Sequence, residues 1–213
     1  MTHFTDMIEG YRRFRNGGWQ MQRERWDELA VGQSPKVMVI ACSDSRVEPS
    51  QIFDTNPGEI FVVRNVAALV PPFETTPGRH GVSAALEFAV QFLKVEEIVV
   101  MGHGLCGGCH AALHGTMAGA EPGRGGFIAD WIAMLDGARD TVRAAHADID
   151  NRDAGRAMEM AAVRVSIDNL RTFPCIQEKE RRGTLTLRGA FFAIGDGVLH
   201  LLDEASGQFV PAD

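Results

Sequence analysis

Three short apolar runs constrain the architecture of this chain more than any other feature. Residues 36–41 follow Pro35, residues 59–64 follow the Asn56-Pro57-Gly58 turn, and residues 97–101 end at Gly102-His103. The first is mostly β-branched and apolar, which suits a strand buried on both faces. Between the second and third, residues 81–93 place Ala84, Ala85, Phe88 and Phe92 at helical spacing. Strand, helix and strand in alternation predict an α/β fold with a mostly parallel central sheet flanked by helices.

The rest of the chain fits around that sheet. Helical patterns recur over residues 127–145 and 154–170, the latter favouring one face through Met158, Ala161, Val165 and Ile167. Residues 185–194 and 198–203, about the Gly195-Asp196-Gly197 turn, read as a hairpin-like pair that adds a C-terminal edge strand. At the other end, Asp6 with Glu9 offers a capping-box-like start to a helix that runs to Arg15 and stops at Gly17-Gly18. A second helix is predicted over residues 19–29. Residues 1–33 are thus a helical arm on one domain spanning 1–213, with the glycine-rich patch 119–126 a loop between helices.

The formal charge of −7 argues against nucleic acid or an anionic membrane as partner. Early arginines (Arg12, Arg13, Arg15, Arg23, Arg25) are interleaved with acids, as on a solvated or subunit-contacting helix face. No stretch approaches the ~18 consecutive apolar residues of a spanning helix, and the N-terminus carries acids where a signal peptide needs an apolar run. These features lead to the expectation of a cytoplasmic protein. Four cysteines, in a reducing compartment and spaced with histidine, favour metal over disulfides, with Cys175 a buried bystander.

The chemistry concentrates where two strands end. Cys42-Ser43-Asp44-Ser45-Arg46 follows the first run, and His103-Gly104-Leu105-Cys106 ends the third. Ligand sites of parallel sheets form outside the carboxyl ends of strands. Two thiolates and an imidazole converging there make a zinc site with one place open, the pattern of catalytic rather than structural zinc. Two thiolates bring the ion near zero net charge and soften its acidity, so neighbouring groups must help manage the proton of a bound water. Asp44, kept ionised by the guanidinium fork of Arg46, is placed to accept a hydrogen bond from that water. Released by Arg46, the same carboxylate can move onto the metal and close the site. Gly104, Gly107 and Gly108 allow close backbone approach to the metal.

Two other assignments of these residues are open. Cys106-Gly107-Gly108-Cys109 is also a Cys-x-x-Cys redox motif. Cys106, His110 and His114 share a helix face and form a rival metal set.

The two motifs together, with residues 61–67 and 81–95, resemble the β-class carbonic anhydrases over about residues 33–113. The resemblance implies reversible hydration of carbon dioxide to bicarbonate and a proton, by hydroxide on one zinc per chain held by Cys42, His103 and Cys106, with Asp44 and Arg46 as the catalytic dyad. Gly32-Gln33-Ser34-Pro35 resembles the plant-like subgroup, which implies that Gln33 donates a hydrogen bond to substrate across a subunit boundary. Val39 stands where a bicarbonate-inhibited subgroup has tryptophan, which implies the open form. Phe61, Val66 and Phe88 match apolar pocket-lining positions. Homodimers or dimers of dimers, with the arm packed on a neighbour, follow from the same likeness. The competing functions are hydrolysis of carbon disulfide or carbonyl sulfide on this scaffold, and a non-catalytic zinc module with Asp44 as fourth ligand.

Overall fold

In the computed structural model, which describes residues 3–212, the chain divides into two compact units, Met1–Ser34 and Pro35–Asp213. The first holds Phe4–Asn16 (α1), Gly18–Met21 (α2) and Arg23–Val31 (α3). Asp6 makes the cap of α1 by accepting the backbone N–H of His3 at 2.8 Å, while Glu9 pairs with Arg12 instead. The helix expected over 19–29 is two, because Gln22 leaves helical geometry at φ −107°, ψ 28°. Phe14 meets Trp26 edge to face at 5.8 Å. No described residue of these helices is buried, and Phe4, Met7, Tyr11 and Phe14 leave an apolar stripe exposed along α1.

The second unit begins with Val37–Cys42 (β1), the short Pro49–Ile52 (α4) and Ile60–Asn65 (β2). Gly81–Glu87 (α5), prolonged by a π-helical turn over Phe88–Leu93, leads to Glu97–His103 (β3) and Gly107–His114 (α6). Gly126–Ile132 (α7), Asp136–Ala145 (α8), Arg152–Leu170 (α9) and Pro174–Arg181 (α10) precede Thr186–Ala193 (β4), Val198–Asp203 (β5) and Gln208–Pro211 (β6). The sheet order is β2-β1-β3-β4-β5-β6, parallel from β2 to β4 and antiparallel beyond. The expected parallel sheet flanked by helices is therefore the fold. The predicted C-terminal pair divides its roles: β4 joins the parallel set beside β3, β5 returns from it, and β6 is a further edge strand.

Alternation along the strands sorts the core. Met38 and Ile40 of β1 with Ile98 and Val100 of β3 face Leu86, Ala89 and Val90 of α5 and its π turn, and Val163, Ile167 and Leu170 of α9. Val39, Ala41 and Met101 point the other way, with Ile52, Phe53 and Leu199 packed against them. A third cluster, around Cys42, Val47, Cys106 and the inner faces of α6 to α9, surrounds the strand ends where the motifs lie. Cys175, expected to be buried, is only half-buried at the edge of the first cluster.

Helix α9 lies close on β3 because Gly102 has no side chain: a Cβ there would stand 2.6 Å from Cγ2 of Val163. Both partners are rigid, one strand backbone and the other β-branched, so neither yields cheaply. Gly102→Ala is expected to lower the unfolding free energy by about 1–3 kcal/mol, read as a drop in thermal midpoint. An unchanged midpoint would mean that α9 slides freely on the sheet.

Candidate metal centre

Strands β1 and β3 are hydrogen-bonded neighbours, with Ala41 opposite Met101, so their carboxyl ends lie side by side. That register puts Cys42 and His103, the last residue of each strand, at one edge of the sheet. Leu105 then takes a left-handed turn (φ 60°), and Cys106 arrives as the N-cap of α6. The sulfurs of Cys42 and Cys106 are 4.0 Å apart. One ligand atom from each of Cys42, His103 and Cys106 lies within 4.8 Å of the others, all three residues are buried, and no other such group of three occurs among the described residues.

The three residues fit zinc on two independent grounds. Tetrahedral zinc with Zn–S bonds of about 2.3 Å holds two sulfurs roughly 3.8 Å apart, close to the spacing found. The imidazole is also poised for it. Nδ1–H of His103 donates to the carbonyl of Gly104 at 2.9 Å, which leaves a lone pair on Nε2, and that buried Nε2 has no hydrogen-bond partner. An orphaned buried acceptor facing two thiols is costly unless a cation occupies the space between them.

Charge sets how metal uptake depends on pH. Hydrogen bonding to Cys106, together with burial, pushes the Cys42 thiol up to about 12. Contact with Cys109, with burial adding, pushes Cys106 up to about 12 as well. Burial opposes protonation of His103, yet the nearby Cys42 side chain and the Gly104 carbonyl leave its pKa raised on balance. Without a cation these thiols hold their protons at neutral pH, and a bound divalent ion must displace them. Zinc uptake should therefore release at least two protons per ion, and apparent affinity should rise about 100-fold per pH unit across the neutral range. Calorimetry in buffers of different ionisation enthalpy measures that release. A pH-independent affinity would contradict thiolate ligation.

Asp44 and Arg46 stand beside the three candidate ligands. Nε of Arg46 donates to Oδ1 of Asp44 at 2.9 Å, Nη2 to Oδ2 at 2.7 Å, and the backbone N–H of Arg46 to Oδ1 at 3.0 Å. The Arg46 fork holds the Asp44 carboxyl well below the usual carboxylate range, so it stays ionised. Oδ2 is 4.0 Å from Nε2 of His103, next to the metal position without being one of the three.

Sequence reasoning missed the residue that shapes this loop. Arg64, at the end of β2, donates Nε to the carbonyl of Cys42 at 2.9 Å and Nη2 to those of Asp44 and Val47 at 2.7 and 2.9 Å, and pairs with Glu48. An arginine within the apolar run Phe61-Val62-Val63 was the available signal. A second missed residue, Glu159 of α9, is a buried carboxylate reaching Cys106 from behind.

The other expectations resolve differently. His110 and His114 stack at 4.0 Å, and His114 is engaged by the carbonyl of His110 and by Asp150, so the rival metal set does not assemble. Gly108 is needed for packing, since a Cβ there would meet Cγ1 of Val66 at 2.8 Å, whereas Gly107 borders open space. Phe61 and Phe88 stand 5.9 Å apart between ring centres. Gln33 is exposed and belongs to the first unit.

A family model described as carbonic anhydrase matches residues 37–199. Beta carbonic anhydrase 3 of Arabidopsis thaliana is 35% identical over 195 residues, which cover 90% of this chain and 74% of that protein. The solved beta-carbonic anhydrase CcaA superposes with a TM-score of 0.90 at 30% identity, covering 99% of this chain and 100% of that one. A tetrameric beta-carbonic anhydrase from the ascomycete Sordaria macrospora superposes with a TM-score of 0.77 at 30% identity, over 94% of this chain and 96% of that one.

Proposed function

The chain belongs to the β-class carbonic anhydrases, and from that premise we propose that it hydrates carbon dioxide reversibly on one zinc held by Cys42, His103 and Cys106. The observation that carries this reading is the buried Cys-His-Cys group with a bidentate Asp44–Arg46 pair at its side. Zinc, when bound, supplies the Lewis acid that makes water a nucleophile near neutral pH.

Asp44 supplies direction. Its Oδ1 is occupied by two N–H groups of Arg46, while Oδ2 keeps a lone pair beside the ligand atoms. From Oδ2 it accepts a hydrogen bond from the attacking water, so that the oxygen lone pair points at the carbon of carbon dioxide. A carboxylate always ionised at neutral pH accepts that bond without competing for the proton. With both oxygens held by Arg46, Asp44 supports an open site over a closed module with Asp44 as fourth ligand. Gln33 of a neighbouring subunit donates its amide N–H to substrate or bicarbonate.

That last role requires an oligomer. The unburied stripe Phe4, Met7, Tyr11 and Phe14 supports packing of the arm on a second copy, in a homodimer or a dimer of dimers, as does likeness to a tetrameric relative. A reducing compartment such as the cytoplasm suits a site built on two free thiols. No helix among the described residues is long and apolar enough to cross a membrane.

Initial rates on carbon dioxide, carbonyl sulfide and carbon disulfide, followed by stopped flow with a pH indicator, test the substrate. Carbon dioxide should be turned over fastest. Preference for either sulfur-containing gas would replace the reading with that of a hydrolase.

A further inference from the structure

One peptide group connects the dyad to the interior. The carbonyl of Leu105 accepts Nη2 of Arg46 at 2.9 Å. The N–H at the other end of that peptide, on Cys106, donates to Oε1 of Glu159 at 3.3 Å. Glu159 is held by a fork of its own, taking Nη1 of Arg152 at 3.2 Å on Oε1 and Nη2 at 2.9 Å on Oε2. The chain of contacts therefore runs from Asp44 through Arg46, the 105–106 peptide and Glu159 to Arg152. Carboxylates and guanidinium groups alternate around a single polarised amide. Gly104 leaves room for it, since a Cβ there would stand 3.3 Å from Nη2 of Arg152.

We infer that Glu159 is a positioning residue for the reaction, setting through the 105–106 peptide the orientation of Arg46 and the seat of the Cys106 thiolate. Leu105 sits at φ 60°, a conformation unfavourable for a branched side chain, so this peptide needs external restraint to stay put. It has one at each end. A buried carboxylate is costly unless paired, and with a side chain 5% exposed Glu159 meets that cost through Arg152. Polarising the amide from the N–H side strengthens its carbonyl as acceptor for Arg46. Arg46 then keeps one Nη2 hydrogen on Leu105 and the other on Asp44, and the carboxylate stays aimed. A merely structural strut between α6 and α9 would do none of this.

The inference rests on the dyad reading above, and a double-mutant cycle separates the two. Glu159→Gln keeps an acceptor for Cys106 and removes the charge. It should reduce kcat for carbon dioxide about 10-fold with little change in KM, and raise amide hydrogen exchange of residues 104–108 in both the zinc-loaded and the zinc-free protein. In an Arg46→Ala background the same substitution should cost less than 2-fold, because the acceptor it tunes has lost its donor. Equal fold losses in both backgrounds, or unchanged exchange in Glu159→Gln, would overturn the inference. Arg46→Ala turning over as fast as the wild type would overturn the dyad and this relay with it. Should Glu159→Gln not fold, Arg152→Lys in the same cycle gives the same discrimination.

Discussion

Cys42→Ser, His103→Ala and Cys106→Ser should each yield a protein that loses zinc on dialysis and hydrates carbon dioxide no faster than buffer. Each proposed ligand comes from a different place: the last residue of β1, the last of β3 and the N-cap of α6. Among the described residues no other group of three His, Cys, Asp or Glu could hold a metal in their place. Removing a hydrogen bond from the outer shell of a metal costs about 10–100-fold in affinity, and removing one of three direct ligands costs more than that. The expected loss is therefore complete at micromolar zinc. Metal analysis after gel filtration measures it, with circular dichroism to verify the fold. Stoichiometric zinc retained in all three variants would reject the ligand assignment.

Asp44→Asn should leave zinc bound and the fold intact, yet reduce kcat by about 10²–10³-fold, the range seen when one oriented polar group is removed from a preorganised site. The amide is isosteric but presents N–H where a carboxylate oxygen now accepts, so Arg46 loses its charge partner and the attacking water loses its guide. Because Arg46 holds the Asp44 carboxyl far below its ordinary range, Asp44 is ionised across the neutral range. The acid limb of the rate profile between pH 6 and 8 should consequently be unrelated to its protonation. Wild-type turnover in Asp44→Asn would refute the dyad.

The parallel part of the fold was legible because its strands are short apolar runs bounded by turn residues, whether buried like β1 or at the sheet edge like β2. The runs at 36–41 and 59–64 become β1 and β2 within one residue, while the third strand extends two residues further, to take in Gly102 and His103. Breaks within helices were not legible, since Gln22 carries no Gly or Pro signal and the Phe88–Leu93 π turn keeps an apolar period. Helix α10 is short and largely polar and strand β6 is only four residues long, so only their tertiary neighbours define them. The Cys-His-Cys group and the Asp44–Arg46 pair proposed as ligands and dyad were legible as motifs because their spacing within each motif is local. Glu159 was not: it meets Cys106 from 53 residues away, and nothing around it in sequence distinguishes it from any helix-surface glutamate. Arg64 lies between, visible as a charge in an apolar run whose partners only the fold supplies.

The central claim is that a metal gripped by Cys42, His103 and Cys106 leaves room for chemistry on carbon dioxide. The most direct test is to titrate metal-free protein with zinc while following carbon dioxide hydration by stopped flow. The account predicts a rate that climbs in proportion to bound zinc and levels off at one ion per chain. Protein saturated with zinc that hydrates carbon dioxide no faster than buffer would contradict it.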